Sequence, residues 1–169
     1  MIIPNGLEKE AWEINNPALG GYLLWIFAKS SFEQNKKPIH PCKLFCLFAF
    51  IFYEDTRSVL VKTRNNLQSY ISKFYSAKES KTDIPFSIHF RVDSQKERTL
   101  DSLLISVDAG LLYLDDITGM ITPNIKLKPV SIKNLDITTK DLINCSEKLG
   151  KWLSDITESD LTRIIKVVY

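Results

Sequence analysis

The chain has 169 residues, enough to bury a sizeable core in one domain or two small ones, and its 44% hydrophobic and 25% charged fractions are those of an ordinary globular protein. A net charge of +2 favours no particular partner, and three widely placed cysteines, an odd number, do not make a disulfide framework. Met1 to Asn5 lacks a basic leader and apolar run, and no apolar stretch approaches the roughly 20 residues of a membrane span, so a soluble cytoplasmic protein is expected.

Residues 1–15 read as an extended arm, docked through Leu7, Trp12 and Ile14. Asn16 and Pro17 then make a preferred helix start. Leu19, Tyr22, Leu23, Ile26 and Phe27 recur at helical spacing, while Leu24 and Trp25 fall off that stripe, so the helix is apolar almost all round. Gly20 and Gly21 each cost about 1 kcal/mol relative to Ala inside a helix, which predicts close approach of another backbone there. A polar loop with Pro38 and Pro41 leads to the run Leu44 to Tyr53, predicted as the buried central helix and closed by Glu54, Asp55 and Arg57.

Ser58 to Lys62 reads as the end of that helix or a turn. Leu67, Tyr70, Ile71 and Phe74 give an amphipathic helix over about Asn65 to Tyr75, and Ser76 to Asp83 is a polar linker. Ile84 to Gln95 fits a short helix or, by alternation, a strand. Thr99 is an expected N-cap for a helix carrying Leu100, Leu103, Leu104 and Val107, with Gly110 as its stop. A hairpin follows: strand Leu111 to Leu114, a turn through Asp115 to Gly119, and strand Met120 to Thr122 ended by Pro123. Ile125 to Val130 is expected as a further edge strand. Thr138 or Thr139 would cap a helix with the stripe Leu142, Cys145, Ser146, Leu149, Trp152, Leu153 and Ile156, and Thr157 to Tyr169 holds a last short helix or strand.

The predicted fold is therefore mainly α with a small antiparallel β-hairpin, winged-helix-like. It forms one domain over 1–169, or two halves: a helical half, 1–78, and a winged-helix-like half, 79–169.

His40, Cys42 and Cys46 form the only metal-like spacing, and the other ligand candidates, His89 and Cys145, are remote in sequence. A structural zinc site wants four such ligands, so buried thiols are the expectation, with no metal and no other cofactor. The acidic pairs Glu54-Asp55 and Asp115-Asp116 lack the companions of a nuclease site. A phosphate-binding loop and a Gly-x-Ser-x-Gly elbow are both missing, so no catalytic residue is expected.

Between Thr56 and Lys81 stand six bases against the single acid Glu79. Such a bias can meet phosphates or an acidic partner, a solvated helix face being the plain alternative. Arg57, Lys62 and Arg64, with Lys126 and Lys128 beside the predicted wing, are the candidate contacts to nucleic acid or partner. The helix from Thr99 to Ala109 carries Asp101 and Asp108 but no Lys or Arg, which argues against its reading a DNA groove.

Four stretches, in this order across most of the chain, resemble the middle component of bacterial three-component ABC systems, the group that includes Lamassu-type defence operons. They are Asn16 to Phe27; Glu54-Asp-Thr-Arg57 followed by Thr63-Arg64; Thr99-Leu100 with Asp108 to Leu112; and Glu147 to Trp152. Asn65-Asn66 departs from the more usual Lys-Ser-like pair. The resemblance implies a non-catalytic adaptor between an SMC-like or Rad50-like ABC ATPase and an effector, commonly a nuclease, in defence against phage or plasmids. DNA would be met through the complex, with no membrane involved. An autonomous winged-helix DNA-binding regulator is the alternative.

Overall fold

The computed structural model describes residues 15–64, 66–76 and 83–165, without the side chains of Pro85, Phe86 and Ile165. Residues 1–14 of the predicted arm, most of the predicted linker and the last four residues lie outside the described residues. Eight helices and two strands are described: α1 (Pro17–Asn35), α2 (Pro41–Ile51), α3 (Glu54–Lys62), α4 (Leu67–Ser76), α5 (Asp83–Ser94), α6 (Lys96–Asp108), β1 (Leu112–Leu114), β2 (Ile121–Pro123), α7 (Ile137–Leu153) and α8 (Glu158–Ile165). The fold is mainly α with an antiparallel hairpin, and the run of α6 into that hairpin is compatible with a winged-helix arrangement. No described helix is long and apolar enough to cross a membrane.

Helix α1 is the axis. Asn16 caps it, its Oδ1 accepting from the amides of Ala18 (3.0 Å) and Leu19 (3.3 Å), and Pro17 takes the first helical position, where a missing N–H costs nothing. Lys36 ends it in the left-handed conformation at φ 59°. From Leu23 to Ala28 every residue is buried, because α6, α7 and the hairpin all pack on this helix. Gly20 and Gly21 make the α6 crossing close, as expected. A Cβ on Gly20 would lie 2.2 Å from Ser102 Oγ, and one on Gly21 would lie 2.9 Å from the Ser102 carbonyl oxygen. The α7 crossing uses the opposite arrangement, with the glycine on the partner: a Cβ on Gly150 would sit 2.3 Å from the carbonyl oxygen of Phe27.

Helix α2 is buried almost throughout, and Phe48 and Phe50 are wholly enclosed. It begins at Pro41, before the apolar run, and ends two residues short of Tyr53. It stops at Ile51 because its last carbonyls find side-chain donors from the next helix: Thr56 Oγ1 donates to the Phe50 carbonyl at 2.8 Å, and Arg57 Nη1 to that of Ile51 at 3.1 Å. Tyr53 is the N-cap of α3, so Ser58 to Lys62 belongs to a helix of its own. Helix α4 packs through Leu67, Tyr70 and Phe74, with Tyr70 edge-on to Phe50 at 5.8 Å between ring centroids.

One open alternative is decided and two expected caps move. Ile84 to Gln95 is helical, not a strand, and ends in a turn at Gln95 from which α6 starts directly. Thr99 is therefore not an N-cap: it lies inside α6, buried, with its hydroxyl donating to the Gln95 carbonyl. Asp136 caps α7 in place of Thr138 or Thr139, accepting from the Thr139 amide at 3.0 Å and the Thr139 hydroxyl at 2.7 Å, a charged acceptor winning over neutral ones.

The hairpin pairs Leu112 with Pro123, Tyr113 with Thr122 and Leu114 with Ile121. Gly110, at φ 68°, ends α6, and Asp115 Oδ1 caps the turn by accepting from Ile117 and Thr118. The expected strand over Ile125 to Val130 does not form. Asn124 Oδ1 accepts from the Lys126 amide and bends the chain into a turn, and the outer side of Ile121 already pairs with Ile39 from the α1–α2 link.

Candidate protein interface

The side chains that bury α6 are small. Thr99, Ser102 and Ser106 face α1, and Ser106 Oγ donates to the Gly21 carbonyl at 3.0 Å. Helical geometry then turns Leu100, Leu104 and Val107 outward on one stripe, with Glu97, Asp101 and Asp108 along its border. Leu104 is 68% exposed and Ile117, at the hairpin tip, 92%; Leu100, Tyr113 and Leu114 are also exposed. From Thr99 to Ile125 there is no Lys or Arg, against the acids Asp101, Asp108, Asp115 and Asp116. The surface is apolar and acidic. Scattered exposed apolar residues are ordinary, but a row of them at helical spacing with an acidic border suits a basic amphipathic segment of another protein. The leucines are visible in sequence; their exposure follows from the Gly–Ser crossing beneath, which a reading of apolar periodicity alone assigns to the core.

The five predicted basic contacts fall on different elements. Arg57 is turned inward onto the end of α2 and pairs with Glu54, so its guanidinium is a capping group. Lys62 and Arg64 stand exposed at and just beyond the end of α3. Lys126 and Lys128 are exposed in the turn after the hairpin. Helix α3 packs on α2 and α7, whereas the hairpin packs on α1 and α6. Missed in sequence is Lys148 of α7, whose ammonium donates to the carbonyls of Leu60 and Thr63 (both 2.8 Å) and Val61 (3.1 Å), holding the end of α3; burial lowers its pKa. Also missed is the two-pronged pair of Arg91 with Asp55, at 2.7 and 2.6 Å, which keeps the Asp55 carboxyl below its ordinary range.

Of the expected metal-like residues, Cys46 and Cys145 are buried in α2 and α7, and burial pushes the Cys145 thiol up to about 12. His40 and Cys42 meet instead at the start of α2, where His40 Nδ1 lies 2.9 Å from Cys42 Sγ. Glu158, from the start of α8, completes a group whose ligand atoms all lie within 4.8 Å of one another.

The model of the ABC-three component (ABC-3C) system Middle Component 3 family matches residues 5–168. The chain belongs to that family and is thus a middle component of a three-component ABC system. No curated protein and no solved structure matches it.

Proposed function

We propose that the chain is the non-catalytic adaptor of its system, of Lamassu type, joining an SMC/Rad50-like ABC ATPase to an effector nuclease in defence against phage or plasmids. The observation that carries this reading is the exposed face of α6 and the hairpin, an apolar row with an acidic border. A helix placed like the reading helix of a winged-helix protein, yet acidic and leucine-rich, is suited to docking a protein rather than a phosphate backbone. Its first turn does hold Lys96 and Arg98, but Lys96 pairs with Asp93, and Arg98 binds Gln95 and Asn15. Two cations at one end of a face that is otherwise acidic and apolar support the DNA-regulator alternative less than they support protein docking.

The test is co-purification of the chain with the other two subunits of its system. Leu104→Asp with Ile117→Asp should leave the melting temperature unchanged, since both side chains are exposed, and should abolish capture of one partner while sparing the other. Retention of both partners by the double variant sinks the assignment of this face. Failure of the unaltered chain to bind either subunit, or metal-dependent ATP or DNA hydrolysis that tracks the purified chain, overturns the adaptor reading itself.

A further inference from the structure

The α1–α2 link and the α7–α8 corner are remote in sequence but share a solvent-open cleft of about 290 Å³, lined in part by His40, Lys43, Asp155 and Glu158. At its edge stand an imidazole, a thiol and a carboxylate with all ligand atoms within 4.8 Å. We infer that His40, Cys42 and Glu158 bind a divalent zinc-type cation through three protein ligands, with water from the cleft in the fourth position. This inference stands apart from the adaptor reading.

The donor set selects the ion. Thiolate and imidazole match zinc's borderline softness, and a Cys–His–carboxylate set is foreign to magnesium and calcium, which take oxygen. Charge also closes: one thiolate and one carboxylate neutralise the dication beside a neutral imidazole. Bonds of about 2.0–2.3 Å in a tetrahedron hold ligand atoms roughly 3.5 Å apart. The sulfur and Nδ1, now at 2.9 Å, need only part slightly, and the remaining separations, none above 4.8 Å, close by no more than about 1.3 Å. The thiol proton leaves to solvent as the metal enters. Until then the thiol is held protonated, burial pushing it up to about 11 with Glu158 adding to the rise.

One cation already stands nearby: Lys43 Nζ lies 3.9 Å from Glu158 Oε1 and also 3.5 Å from the Ser154 carbonyl. When Glu158 turns to the metal, Lys43 keeps the carbonyl. The site would fasten the first residues of α2 to the start of α8, across more than a hundred residues of chain.

The experiment is titration of the full chain with zinc by calorimetry, alongside cobalt, whose bond to a thiolate gives a near-ultraviolet charge-transfer band. One zinc per chain, a raised melting temperature and the cobalt band are expected. Glu158→Gln, an exposed and structurally mild change, should weaken zinc by more than about tenfold, Cys42→Ser should abolish the cobalt band, and Cys46→Ser should keep both. Absence of zinc binding overturns the inference. So does binding that survives unchanged in Glu158→Gln with the cobalt band still present in Cys42→Ser, because the metal then sits elsewhere.

Discussion

A missing side chain at residue 150 decides how near α7 comes to the axis helix. The Phe27 carbonyl oxygen occupies the place where a Cβ would be, and it is backbone, which cannot swing aside. Gly150→Ala should therefore cost about 2 kcal/mol or more, in the range of overpacked cores, despite the better helix propensity of Ala. Urea unfolding followed by circular dichroism checks this; a more stable variant would show that α7 moves freely along α1. Gly20 and Gly21 announce themselves in sequence because two glycines sit inside a strongly apolar helix. Gly150 does not, since a single glycine between Leu149 and Lys151 of an amphipathic helix carries no such signal, and only the crossing gives it a reason.

Among the elements, α2 is the one on which the fold depends. Phe48 is fully enclosed, its ring 4.6 Å from that of Phe52. Phe48→Asp places an unpaired charge there, a loss of several kcal/mol that a domain of this size does not survive. The expected outcome is insoluble protein or the absence of a cooperative melt; a soluble variant with a sharp transition would remove α2 from the centre. This helix was readable from ten apolar residues in a row, although its end was not. That end depends on Thr56 and Arg57 reaching back from α3, a tertiary event. Helix α6 shows the reverse failure: its period is right, but the eye assigns the leucines to the interior when serines line it.

For the whole molecule, the basic bias between Thr56 and Lys81 resolves into separate roles. Among the described residues, Arg57 belongs to the α2 cap and Lys73 donates to the Lys62 carbonyl at 3.0 Å, while Lys62 and Arg64 stand exposed beside them. In the assembled complex, Lys62→Glu with Arg64→Glu should lower DNA affinity and flatten its salt dependence, through fewer released counterions. The comparison is a binding series across salt. An unchanged salt slope with lost ATPase capture would assign these residues to the partner instead. The sequence could list such cations but not sort them, because the sorting depends on which carbonyls lie within reach. Glu158 was illegible for the same reason: nothing near it in sequence resembles a ligand set, and α7 must first turn at Ser154 to bring it to His40.

The reciprocal pair between Ile39 and Ile121 has a mechanical meaning. Each amide donates to the other's carbonyl, at 2.8 and 2.9 Å, and both side chains are buried. The hairpin is thus a lever whose exposed tip, Ile117, lies at one end and whose fulcrum is the α1–α2 link. A displacement at the tip would therefore bear on Ile39 and on His40 one residue on, beside the first turn of the central helix, as well as on the end of α6, to which the Leu111 amide is bonded through the Ser106 carbonyl.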